Sequence, residues 1–174
     1  MKTLLFLFLI STRLFAQESV FPQFDFNLIN PFLPGKKVSQ IPIKYGPPKK
    51  LELKDAQQVN LYKVVGKDGY YFPLIIQHLD DQILDFYTRP PSYLLHDFFH
   101  RDLIAKYGLQ NEYSLVNGSG YYTWNTKDVS IYYQGECTIT CFPVFYSQVA
   151  AKSKLPPTYK SLGKIFEDNL TLFE

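Results

Sequence analysis

The sequence predicts an α+β fold: two helix-plus-antiparallel-meander repeats forming a layered sheet with helices on one face. Three observations lead there. Lys44-Tyr45-Gly46 recurs as Lys106-Tyr107-Gly108. Ahead of each glycine, apolar or aromatic residues fall at matched offsets, Val38, Ile41 and Tyr45 in the first copy and His100, Leu103 and Tyr107 in the second. Short β-rich runs, punctuated by turn residues, follow each glycine, and a triplet, its offsets and its following strands together signal an internal repeat.

Residues 1–16 read as a secretory signal, with Lys2, the apolar run Leu4–Ile10 and a small residue, Ala16, before the expected cut. Residues 17–34, rich in Phe, Pro and Asn without a clean period, form an irregular arm. The first repeat, 35–91, opens with a short helical stretch that Pro42 interrupts and that Gly46 and Pro47-Pro48 end. Strands are expected at 59–65, 70–79 and 82–89, separated by Gly66-Lys67-Asp68-Gly69 and Asp80-Asp81. In the second repeat, 92–147, a longer helix over 92–107 takes Ser92 as its N-cap. Strands at 112–116, 120–125, 129–134 and 138–146 follow, with turns at 117–120 and 127–128. Residues 148–174 are a linker and a C-terminal helix with Leu162, Ile165, Phe166, Leu170 and Phe173 at helical spacing.

Gly35, ten intervening residues, Gly46 and Pro48 resemble the glycine–glycine–proline signature of the BamE (SmpA/OmlA) family and of the related β-lactamase-inhibitor-protein fold. The resemblance covers 34–146. Asp97 and Gln110 stand where a second copy of the signature would have its first Gly and its Pro, and the family's lipoprotein cysteine is missing. The resemblance implies an exported protein that binds without catalysis, as an analogy of fold that transfers no partner.

Removing the signal takes Lys2 and Arg13 and leaves as many basic as acidic side chains. A neutral chain with no Lys/Arg block lacks the attraction that nucleic-acid binding needs, and no apolar run is long enough to span a bilayer. Localisation is therefore expected to be periplasmic or secreted, with no nucleic acid and no membrane span. No nucleophile elbow, nucleotide-binding glycine loop or paired-histidine zinc motif is present. Asp80-Asp81 reads as a solvated turn. The expectation is a protein that is not an enzyme and carries no cofactor.

An exported chain with two cysteines, Cys137 and Cys141, is expected to form one disulfide. Residues four apart in a regular strand lie about 13 Å apart, beyond the reach of a disulfide. The bond therefore requires Thr138-Ile139-Thr140 to turn. The alternative is a metal-binding protein, with His96 and His100 on one helical face and the two cysteines as free thiolates. Against it, the two imidazoles would instead bond to backbone or tyrosine.

The doublets Tyr70-Tyr71, Tyr121-Tyr122 and Tyr132-Tyr133 put one ring on each face of a strand. Alternation sends Tyr122, Trp124, Ile131 and Tyr133 toward the helices, and Tyr62, Tyr71, Gln77, Tyr87, Arg89, Tyr121, Tyr132 and Gln134 outward. The expected partner-binding residues are Tyr62, Tyr71, Tyr87, Tyr121, Tyr132 and Gln134, since tyrosine offers stiff amphipathic contact area. The expected function is an exported non-enzymatic binding protein whose open aromatic sheet face engages a protein partner in the cell envelope, with glycan as the second partner class.

Overall fold

Strong β-formers separated by tight turns dominate the chain after Pro48. The computed structural model describes residues 23–66, 69–91 and 93–168. Among these residues one antiparallel sheet contains β1 (Lys49–Leu51), β2 (Gln58–Val65), β3 (Tyr71–Leu79), β4 (Gln82–Thr88), β5 (Glu112–Val116), β6 (Ser119–Asn125), β7 (Val129–Cys137) and β8 (Cys141–Ala150). Their spatial order is β1-β2-β3-β4-β8-β7-β6-β5. Two four-stranded meanders thus meet along β4 and β8, where Asp85 faces Val149 and Thr88 faces Tyr146.

Two hairpins are closed by pairs of residues in the left-handed region, Asp80-Asp81 (φ 48° and 68°) and Asn117-Gly118 (φ 51° and 83°). Positive φ at both loop positions matches the twist of the flanking strands. Asp81 also anchors Ser39, since one carboxylate oxygen accepts the Ser39 backbone N–H at 2.8 Å and the other the Ser39 hydroxyl at 2.6 Å. These bonds hold the Asp81 carboxyl below the usual range.

The structure overturns the predicted arrangement of two helix-plus-meander repeats with helices on one face. It is one predominantly β sheet with two α-helices among the described residues, α1 (His96–Tyr107) and α2 (Leu162–Asp168). Where the first repeat should have its helix, the chain makes two 3-10 turns, Val38–Gln40 and Ile43–Tyr45. Pro42 between them has no N–H to donate and blocks an α-helical ladder. Gly46 and Gly108 nevertheless share a conformation, at φ 71° and 83°. The helix of the second repeat, α1, begins at His96 rather than at residue 92, and Leu95 caps it without a side-chain bond. The signal segment, the start of the arm, Ser92, Leu170 and Phe173 lie outside the described residues.

The helices lie on opposite faces. On one, the arm contributes Phe24, Ile29 and Phe32, the 3-10 turn Ile43–Tyr45 contributes Tyr45, and α1 contributes Phe99 and Leu103, packed on Tyr62, Leu74, Ile76, Phe86, Trp124, Ile131, Tyr133 and Tyr146. On the other, Leu162 and Phe166 of α2 pack with Val59, Ile75, Tyr87 and Phe145. No helix among the described residues is long and apolar enough to cross a membrane.

Cys137 and Cys141 are disulfide-bonded, with Cα atoms 4.0 Å apart. The expected turn is present: β7 stops at Cys137, Thr138-Ile139-Thr140 form the loop, and Cys141 pairs across the ladder with Cys137. Titration of the denatured, unreduced protein should detect no reactive thiol; two would refute the bond.

A candidate binding groove beside the second helix

The C-terminal segment reaches its face through two buried polar side chains of the sheet. Gln77 on β3 and Asp85 on β4 are cross-strand partners, and both point toward α2. Gln77 accepts the Gln57 N–H at 2.7 Å and donates its amide to the Lys160 carbonyl at 3.0 Å. One oxygen of Asp85 accepts both the Tyr159 hydroxyl at 2.7 Å and the Leu162 N–H at 2.8 Å. The other oxygen is buried with no hydrogen-bond partner. Burial pushes the Asp85 carboxyl up to about 7, against the lowering effect of the hydrogen bonds it accepts. Together Gln77 and Asp85 seat α2 across the middle of the face expected to be open.

Seating α2 there leaves a groove of about 380 Å³ along one flank. Tyr121 of β6 and Gln134 of β7 are directly paired, and Gln134 pairs in turn with Phe145 of β8, so the three share the groove floor. Tyr87 and Arg89 close the far side, and Gly163, Phe166 and Glu167 of α2 form the wall. Tyr87 stacks on Phe145 at 5.3 Å and meets Phe166 at 4.9 Å between ring centroids. A β-carbon added at Gly163 would meet no atom within 4 Å. Arg89, Glu136 and Glu167 put charges of both signs around an aromatic floor.

Of the six residues expected to bind a partner, the structure brings three together: Tyr87, Tyr121 and Gln134. Tyr87 lies on the expected face but is only 6% exposed, because α2 and Phe145 cover it. Its burial raises the phenol above its ordinary range. Tyr132 is 38% exposed on the other flank of α2, beside Lys160 and Lys164. Tyr71 is exposed at the end of β3, with the Lys63 ammonium 3.8 Å from its ring centroid. Tyr62 corrects the alternation outright. It pairs with Leu74 on the arm-covered face, packs against Phe32 at 5.0 Å and is 3% exposed. With no first helix to cover that face, the aromatic arm does so, and the phase of β2 follows the arm.

The sulfurs of the alternative metal site are bonded to each other, so neither is a thiolate. Nor is any group of three or more His, Cys, Asp and Glu side chains among the described residues placed to hold a metal ion. His96 and His100 instead join an aromatic stack under α1. His96 Nδ1 lies 2.8 Å from the Tyr133 hydroxyl and Nε2 lies 3.3 Å from that of Tyr122, and in the neutral ring one nitrogen donates and the other accepts. The His100 ring lies 4.1 Å from that of Tyr122. Burial lowers both imidazoles below their ordinary range and keeps them neutral.

Sequence reasoning missed Asp85 and the Gln77 amide as the seat of α2. Their signal was visible: Asp85 is the one charged residue in the apolar run Ile83-Leu84-Asp85-Phe86-Tyr87. A buried charge-bearing group needs a partner, and here the partner comes from the C-terminal segment. No protein family, curated protein or solved structure matches this chain.

Proposed function

We propose that this is an exported, non-enzymatic binding protein that receives a side chain of a protein partner in the groove between α2 and the sheet. The observation that carries the proposal is the floor itself. Tyr121 and Gln134, half-buried and paired across two strands, lie beside the packed rings of Tyr87, Phe145 and Phe166. An apolar depression with a few polar groups at its rim is the form that binding hot spots take. Charges of both signs around it suit a protein surface better than a polyanion. The disulfide supports export, since such bonds persist in oxidising compartments.

Two substitutions test this by crosslinked capture from an envelope extract followed by affinity measurement. Tyr121→Ala should melt near wild type and weaken binding of the captured partner by about 2 kcal/mol, as loss of a hot-spot aromatic does. Gly163→Trp has open space to occupy, so it should fold and block capture. Undiminished capture by both variants would sink the proposal.

A further inference from the structure

We infer that β5 is a self-pairing edge, through which two copies of this chain join their sheets antiparallel about a two-fold axis at Ser114. The sheet has two edges, and they differ. β1 is three residues long and carries Lys49 and Lys50, the short, charged form that discourages pairing. β5 has five residues, no lysine and no proline, and all five are exposed. Tyr113, Leu115 and Val116 are 54%, 66% and 51% exposed.

The hydrogen-bond phase identifies which backbone groups face outward. Cys137 N–H donates to the Gly118 carbonyl and Thr126 N–H to the Val129 carbonyl, so the even-numbered residues of β6 bond to β7. The odd ones, Ser119, Tyr121 and Thr123, therefore bond to their partners Val116, Ser114 and Glu112 on β5. That leaves the N–H and C=O groups of Tyr113 and Leu115 directed away from the sheet.

Backbone groups of this kind specify an extended strand as occupant, and a second copy fits in one register. With Ser114 opposite Ser114, the whole of β5 overlaps its copy. Tyr113 then faces Leu115, and their outward groups exchange hydrogen bonds on both sides of the axis. The same pairing buries an exposed ring against an exposed aliphatic chain next to Tyr122, whose ring already lies 4.9 Å from that of Tyr113. Glu112 faces Val116 rather than another Glu112, so no like charges meet. A two-fold interface of this type is closed and stops at the dimer.

The native chain should sediment as a concentration-dependent dimer. Leu115→Pro should be monomeric with an unchanged circular dichroism spectrum and melt. Its missing N–H is not one that β6 uses, whereas an incoming strand needs it. Ser114→Cys should crosslink to itself under mild oxidation, because the axis holds the two Cα atoms about 4.5 Å apart as a non-hydrogen-bonded pair. Both native cysteines are already bonded, so the new thiol reports alone. A native monomer at every concentration, a dimer that survives Leu115→Pro, or no Ser114→Cys crosslink would each overturn the inference. A monomer that instead takes up an extended peptide in a Leu115→Pro-sensitive way would assign the edge to another chain and overturn it equally.

Discussion

Asp85→Asn should make the protein less stable relative to wild type at low pH than at high pH, with the difference developing between about 4 and about 7. The wild-type carboxyl titrates from 3.8 in the unfolded chain to about 7 in the folded one. Below both values the group is protonated in either state and its contribution is fully present. As pH rises between them, the unfolded chain releases the proton while the folded one keeps it, so stability falls. A shift of this size corresponds to roughly 4 kcal/mol by the top of the window. Asparagine keeps an acceptor for Tyr159 and Leu162 and cannot ionise, so the variant should lack that fall and be the more stable protein at pH 8. His78, His96 and the half-buried His100 act in the opposite sense: partial or full burial lowers each, and each loses stability as pH falls. Their effect is common to both proteins and cancels in the difference. Chemical denaturation of both across this range measures it, and a difference independent of pH would refute the assignment.

Gly135→Ala should destabilise the fold by about 3 kcal/mol, combining overpacking with loss of buried hydrogen bonds. A β-carbon at Gly135 would lie 2.2 Å from His96 Nδ1 and 2.8 Å from Cε1. The imidazole has no easy retreat, since both nitrogens engage tyrosine hydroxyls and His96 begins α1. Displacing it breaks the contact with Tyr133 and lifts the start of the helix from β7. His96→Ala in the same background removes the clash, so the double variant should lose less than the two single effects together. Denaturation midpoints of the four proteins decide this; strict additivity would show that the glycine acts elsewhere.

The strands were readable because each carries its own signal. Asn117-Gly118 and Asp80-Asp81 close their hairpins where turn chemistry requires, and Trp124, Ile131 and Tyr133 face α1 as alternation demands. The layering was not readable, because it depends on non-local partners. Nothing near Leu162 states that α2 will cross to the face away from α1; that follows from Asp85 and Gln77, more than seventy residues earlier. Likewise alternation alone turns Tyr62 outward, whereas Phe32, thirty residues earlier, covers its side of β2. Half of the expected binding residues converge because Tyr87, Tyr121 and Gln134 share one face of neighbouring strands. Tyr71 and Tyr132 share that face too, but α2 and distance along the sheet divide it.

The seam between β4 and β8 has a kinetic consequence. Every other ladder joins strands adjacent in the sequence, whereas this one joins Asp85 to Val149 and Thr88 to Tyr146. Closing a loop of that length costs roughly 3 kcal/mol more entropy than closing a two-residue hairpin, and such distant pairings slow folding. The groove straddles that seam, with Tyr87 and Arg89 on one meander and Tyr121, Gln134 and Phe145 on the other. Neither half of the chain possesses it alone. A nascent or clipped chain that has formed only one meander therefore lacks the groove, which is complete only once β4 and β8 have paired.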